Sequence, residues 1–322
     1  MTSTAPIGED HLAIHTQGLG KRFGPRVALE SIDLEVPRGT AFGFIGPNGA
    51  GKTTLIRLLL GLAEPTSGSM RLLGRDQPKH RADTLARVGA IIEEPRFHGH
   101  LTGRENLVVH AAAREPAARE RIPASLERVG LTARADDKVK TYSLGMRQRL
   151  GIARCLLGDP ELLILDEPMN GLDPAGILEL RGLIRSLVDE GRTVMLSSHL
   201  LDEVEKTCDA AAIVDDGRIV AQGSIAELRG GGSRARAIDI DCDRHVRAAS
   251  LLTAIRGVGS ATDNADLLRV TLTPEAPVDR EIVTELLRSL LNDGIAVGRV
   301  VPVTHSLEER FLTMTTRLED RS

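Results

Sequence analysis

The stretch Gly46-Pro47-Asn48-Gly49-Ala50-Gly51-Lys52-Thr53 constrains this chain more than anything else in it. It follows an apolar run, Ala41–Ile45, and precedes a leucine-rich segment, 54–60, that suits a helix. A strand, a G-x-x-x-x-G-K-[ST] loop and a helix, in that order, make a cradle for phosphate. Glycine has no Cβ, so successive backbone N–H groups can curl around phosphate oxygens. The helix aims the positive end of its dipole at the same anions. In such a loop Lys52 reaches the β- and γ-phosphates of a nucleotide, and the Thr53 hydroxyl ligates Mg²⁺. The candidate nucleotide-binding residues are therefore Gly46, Pro47, Asn48, Gly49, Ala50, Gly51, Lys52, Thr53 and the adjoining Thr54.

Two further apolar runs, Leu162–Leu165 and 194–196, resemble the one before the loop. Strands that are apolar at successive positions are buried on both faces, as in a parallel sheet. Each run is followed by polar chemistry: Gly46 and its loop, Asp166-Glu167, and His199. Ligands in open α/β sheets bind beyond the carboxyl ends of the strands, so the three stretches are expected to converge on one edge. There Asp166 can hold Mg²⁺ through water, and Glu167 can polarise an attacking water as general base.

Charge narrows the partners. The net charge is −4, which gives no broad basic face for a nucleic acid. Aromatic residues make up 2% of the chain, with no Trp and one Tyr, too few for base-stacking platforms. Cys155, Cys208 and Cys242 show neither disulfide nor zinc spacing and are expected as buried thiols in a reducing cytosol. The polar N-terminus lacks the apolar stretch of a signal peptide, and every apolar run is too short to span a bilayer. Any role at a membrane must therefore come through a partner.

The expected organisation is an N-terminal disordered tail over 1–11, a main domain over 12–229, a linker over 230–236 and an accessory domain over 237–322. Short strands occupy 12–45. Arg/Glu/Ala-rich segments at 106–114 and 117–128 predict a helical insertion spanning about 96–157. The linker is marked by Gly230-Gly231-Gly232-Ser233. Beyond it come a strand with Ile238, Ile240 and Cys242, and a helix over 246–255. Strands over 257–261 and 267–272 flank a turn at 263–266. A helix carrying Ile282, Leu286 and Leu290 stops near Gly294, and a strand follows over 295–303. Ser306 and Glu309 form a capping box that opens a last helix with Leu307, Phe311, Met314 and Leu318 on one stripe. The order βαββαβ is that of a ferredoxin-like module.

Tyr142-Ser143-Leu144-Gly145-Met146-Arg147-Gln148-Arg149 completes the pattern. Ser143 is a good N-cap, and Met146, Leu150, Ala153 and Leu157 follow at helical spacing. This stretch resembles the signature motif of the ATP-binding cassette (ABC) ATPases, as Ser-Leu-Gly-Met in place of the commoner Ser-Gly-Gly-Gln. Order and spacing agree with that family from residue 12 to about 228. The resemblance implies an α/β P-loop NTPase of the ABC ATPase type, with a mixed sheet, a helical insertion and a small C-terminal α+β ferredoxin-like domain.

The resemblance also assigns roles. Phe23 falls at the position that stacks on adenine; the alternative for it is a core aromatic. Asp173, in Gly171-Leu172-Asp173, would cross a dimer interface, and His199 would contact the γ-phosphate. Ser143 and Gly145 would bind the γ-phosphate held by an opposite subunit. With one copy of each motif in the chain, two ATPase subunits must meet head to tail, the second being another copy, as a homodimer, or a close relative. At Ile91-Ile92-Glu93-Glu94-Pro95 the family usually has Gln where Glu93 stands; a carboxylate still offers Mg²⁺ an oxygen ligand. The Glu variant and the tail at 306–315 resemble the exporters of bacitracin, lantibiotics and daunorubicin. The implied protein is an ATP- and Mg²⁺-dependent subunit of an exporter of a drug, an antibiotic or a lipid-like substrate. It would lie in the cytoplasm, peripheral on the inner face of the membrane, beside an integral-membrane permease. The rival is a non-transport ABC-type ATPase acting on nucleic acid or ribosomes. Against it stand the short interval from Lys52 to Ser143, which leaves no room for a long coiled coil, and the absence of a basic stripe. The domain over 237–322 could gate the ATPase as a small-molecule sensor or serve dimerisation.

Overall fold

A computed structural model describes residues 11–229, 237–264, 266–273, 276, 278–303 and 307. The tail expected at 1–11 (apart from His11), the linker expected at 230–236 and the helix expected from Ser306 (apart from Leu307) lie outside the described residues. Chain contacts divide the molecule into two compact units, Met1–Ile225 and Ala226–Ser322.

The first unit begins with β1 (Leu12–Phe23), β2 (Arg26–Ile32), β3 (Glu35–Pro37) and β4 (Ala41–Ile45), which leads through the glycine loop into α1 (Lys52–Leu59). β5 (Ser67–Leu72), β6 (Arg75–Gln77), α2 (Arg81–Leu85) and β7 (Val88–Ile91) follow. Four helices then run before the next strand: α3 (Gly103–Ala111), α4 (Ala117–Glu120), α5 (Ile122–Arg128) and α6 (Leu144–Leu156). Thr102 and Glu105 close a capping box at the start of α3, so the helix begins where its orphan N–H groups first find side-chain acceptors. β8 (Leu162–Leu165), α7 (Pro174–Asp189), β9 (Thr193–Ser198), α8 (Leu201–Thr207), β10 (Ala210–Asp215) and β11 (Arg218–Ser224) complete the unit, and α9 (Ile225–Leu228) starts on its last residue.

These strands make two sheets. One is antiparallel, in the order β2-β1-β5-β6, with β3 also on β1. The other has the order β11-β10-β4-β9-β8-β7 and is parallel except for the β10–β11 pair. Every residue of β4, β8 and β9 is buried, the outcome expected of runs without polar alternation. Phe42, Phe44, Leu55, Ile56, Ile164 and Met195 belong to one core cluster, which ties α1 to the sheet. The register fixes where the chemistry emerges. Ile45 pairs with Ser198, and Leu165 pairs with Leu196. The loops after β4, β8 and β9 therefore leave the sheet side by side.

In the second unit β12 (Ala237–Cys242), α10 (His245–Leu252), β13 (Val258–Asn264), β14 (Leu267–Leu272), α11 (Arg280–Asn292) and β15 (Val297–Val303) follow in chain order. The sheet order is β13-β14-β12-β15 with every neighbour antiparallel, the βαββαβ arrangement read from the sequence. Alternation in β12 and β14 buries Ile238, Ile240, Leu268 and Val270 against Leu252, Leu286 and Leu290. Asp279 caps α11 by accepting from the N–H groups of Glu281 and Ile282, and Gly294 beyond its end has φ 71°. Two boundaries differ by three residues from the sequence reading. β13 runs on to Asn264, because Thr262, Asp263 and Asn264 pair with Arg269, Leu268 and Leu267. α10 stops at Leu252 instead of reaching Ile255, because a tight turn carries the chain to Gly257 at φ 93°.

Candidate active site

The phosphate loop is shaped by close backbone approach. A Cβ on Gly46 would lie 2.3 Å from the Val214 carbonyl oxygen. Gly51 has φ 103°, and a Cβ there would lie 2.7 Å from the Ala28 carbonyl oxygen. No side chain larger than hydrogen fits either position without a shift. α1 starts with no side-chain cap and no acidic residue in its first turn. Its N–H donors and its positive end are thus available to an anion.

Five polar side chains meet beside the loop. Lys52, with 6% of its side chain exposed, donates to the carbonyls of Gly46 at 2.7 Å and Pro47 at 3.1 Å. Its Nζ also lies 3.1 Å from Glu167 Oε1. The other carboxylate oxygen of Glu167 is 2.9 Å from Nδ1 of His199. Thr53 donates its hydroxyl to Asp166 Oδ2 at 2.9 Å. The sequence placed these residues at three strand ends, and the parallel register of β4, β9 and β8 brings them together.

A cleft of about 280 Å³ lies over the loop. Asn48, Gly49, Gly51, Lys52, Thr53, Thr54 and Glu167 form one part of its wall, and Phe23, Arg26 and Ala28 the other. Phe23 is 53% exposed and is not a core aromatic. The Lys21 ammonium sits 4.9 Å from its ring centroid while donating to the Glu64 carbonyl. Ala50 is buried in the core beneath the loop.

Other expected site residues lie apart from this cleft. Ser143 caps α6, its hydroxyl accepting from the Met146 N–H at 3.2 Å. Gly145 stands one residue into that helix, and a Cβ on it would meet nothing closer than Leu172 Cδ2 at 3.8 Å. Asp173 caps α7 by accepting from the Gly176 N–H at 3.0 Å. None of the three lines the cleft. Glu93 adopts a left-handed backbone, φ 59°, and pairs through Oε1 with Arg57 Nη2 at 3.2 Å. It too is outside the cleft lining. Its neighbour Glu94 accepts from Arg147 Nε at 3.0 Å, and Arg147 also donates to the Tyr142 carbonyl.

Sequence reasoning missed three residues. Arg26 and Ala28 line the cleft from β2, and only the fold carries that strand to the loop. Ser197 is fully buried and touches both acidic residues of the site. Its signal was a polar residue in the last positions of an otherwise apolar run, next to Ser198-His199.

The donors suit Mg²⁺. Thr53 and Asp166 offer hard oxygens, and among the described residues there is no group of three or more His, Cys, Asp or Glu arranged to hold a metal. A cation that keeps most of its waters and leans on substrate phosphates needs no fuller protein cage.

The sequence profile of the ABC transporter family matches residues 29–170. The chain is 41% identical over 304 residues to the uncharacterized ABC transporter ATP-binding protein YdbJ of Bacillus subtilis, covering 94% of this chain and 95% of that one. It is 36% identical over 299 residues to the bacitracin transport ATP-binding protein BcrA of Enterococcus faecalis, covering 92% of this chain and 94% of the relative. Among solved structures it is similar to cbiO1 of Clostridium perfringens, part of the ABC transporter complex cbiONQ. The TM-score is 0.63 at 26% identity, over 68% of this chain and 91% of that one.

Proposed function

This chain belongs to the ATP-binding proteins of ABC transporters, and on that premise we propose that its ATPase powers export of a drug or antibiotic through a separate membrane subunit. The carrying observation is the junction at Glu167, which meets Lys52 through one carboxylate oxygen and His199 through the other. It puts a phosphate-binding cation and a candidate general base in the wall of one cleft, with a histidine bonded to the base to orient it.

Each side chain has a task that follows from its position. Lys52 and the N–H groups opening α1 bind the phosphates. Glu167 takes the proton of the attacking water, with His199 holding its carboxylate in place. Thr53 and Asp166 hold Mg²⁺, which when bound offsets phosphate charge. Phe23 offers a ring face to adenine, braced by Lys21. Ser143, Gly145 and Asp173 stand outside the cleft of their own chain, which supports their completing the cleft of a second ATPase subunit.

The export reading is supported by the relative named for bacitracin transport, matched over nearly its whole length. Among the described residues no helix is long and apolar enough to cross a membrane. The reading gives translocation to a separate permease partner. The ATPase would then work at the cytoplasmic face of that partner. The test is purification of the tagged chain from solubilised membranes. A multi-span membrane protein is expected to accompany it and to change its ATP turnover. Recovery of the chain alone, with turnover indifferent to the membrane fraction, rules the export reading out.

A further inference from the structure

We propose that Ser197 is a positioning residue for ATP hydrolysis, whose one hydroxyl orients the metal-binding carboxylate and the general base together. The inference rests on the roles given above to Asp166 and Glu167. Ser197 Oγ donates to Asp166 Oδ1 at 2.6 Å and accepts from the Glu167 N–H at 2.9 Å. A hydroxyl has one proton and two lone pairs, so donation to the carboxylate leaves only lone pairs facing the amide. The two contacts therefore enforce each other, and the first is a short hydrogen bond to a carboxylate.

The hydroxyl completes constraints that other groups supply only in part. Asp166 is 3% exposed, and its second oxygen is taken by the Thr53 hydroxyl. With Ser197 present both carboxylate oxygens have fixed partners, and the face left for a cation is defined. Glu167 has φ 45°, a backbone region that residues with a Cβ rarely adopt. Such a conformation persists where its surroundings over-determine it. The Ser197 contact to the Glu167 amide is one of those constraints. It sets the direction in which the carboxylate leaves the backbone toward Lys52 and His199.

β9 places the hydroxyl by register. Leu196 pairs with Leu165 on β8, so the next residue on β9 stands beside the two acidic residues that follow β8. The adjacent serine does something else: Ser198 Oγ accepts from the Leu200 N–H at 2.9 Å and shapes the turn that carries His199. The two serines are therefore not interchangeable.

The test compares Ser197→Ala and Ser197→Thr in the full chain. Steady-state kinetics are read alongside the affinity for a fluorescent ATP analogue, with Mg²⁺ and with chelator. Removing the hydroxyl is expected to lower kcat by about 10- to 100-fold, with metal-free affinity within about twofold of the parent. The increase in affinity that Mg²⁺ confers should shrink. Thr retains the hydroxyl and should restore most of kcat. A rate within about threefold of the parent for Ser197→Ala overturns the proposal. So does a matching loss of metal-free affinity, which would mark a general packing role, and so does a Thr variant no better than Ala. Glu167→Gln run in parallel separates the two levels. A normal rate there overturns the general-base assignment, and a normal rate in Ser197→Ala overturns this one.

Discussion

Lys52 Nζ and Glu167 Oε1 stand 3.1 Å apart, joining the helix that begins at the phosphate loop to the end of β8. The lysine is nearly buried and the glutamate mostly so, at 6% and 22% side-chain exposure. One acidic group thus answers to the Lys52 ammonium on one side and to His199 on the other.

Glu167→Gln keeps the shape of that group and removes its basicity. ATP turnover is expected to fall by about 10²- to 10⁴-fold while nucleotide binding persists. Single-turnover phosphate release, beside equilibrium binding of a labelled nucleotide, checks both halves. Near-normal turnover removes Glu167 from the role of base.

Gly51→Ala asks a residue with a Cβ to adopt φ 103° and to approach the Ala28 carbonyl at 2.7 Å. A cost of about 1–3 kcal/mol in unfolding free energy is expected, read from urea denaturation. ATP affinity should fall with it, because the displaced strand, β2, also lines the cleft.

Glu93→Gln breaks an ion pair whose partners are 64% and 51% exposed. Stability should change by under about 1 kcal/mol, since exposed pairs are screened. Affinity for ATP with Mg²⁺ should stay within about twofold, because this glutamate does not line the cleft. A tenfold loss of Mg²⁺-dependent affinity would instead make Glu93 a ligand of the cation.

His110 gives the first unit a pH dependence of known sign. Burial, then the charges of Arg154 and Arg114 and the nearby His98, hold its pKa below the ordinary 6.5. The unfolded chain therefore binds this proton more readily than the folded one, and stability falls as pH drops below 6.5 toward the folded value. Above 6.5 the contribution is complete. Denaturation midpoints between neutral and mildly acidic pH should show this slope, and His110→Phe should flatten it.

The cysteines should be inert in the native protein. All three are buried, and burial pushes the Cys155 thiol up to about 11 and the Cys208 and Cys242 thiols upward as well. A thiolate-dependent reagent at mildly alkaline pH should label them only after denaturant is added. Rapid labelling of the folded chain would show that the burial is not maintained in solution.

The parts of the site legible in the sequence are those whose signal is local. Gly46 to Thr53 carries its own spacing, and Ser143 announces a helix start through its residue type, whereas Asp173 was placed by the family resemblance and its capping of α7 is seen only in the fold. Apolar runs located β4, β8 and β9 because burial on both faces removes alternation. Ser197, Arg26 and Ala28 were not legible, because their contacts to the site arise from strand pairing between distant segments. The role of Glu93 is hard to read for another reason. Its motif position fixes where the chain passes, but Arg57 on the neighbouring helix decides where the carboxylate points.

The wholly buried strands β4, β9 and β8, set side by side, also order events in time. The phosphate loop is synthesised early, yet its partners Asp166, Glu167 and His199 arrive only after most of the first unit has been made. Pairings across such sequence separations form late, once loop-closure entropy has been met. A nascent chain halted before Thr193 would own the nucleotide loop without the strand that locks it beside the acidic pair. ATP hydrolysis is thus withheld until the sheet has closed, and a ribosome-bound fragment should bind nucleotide weakly and turn none over.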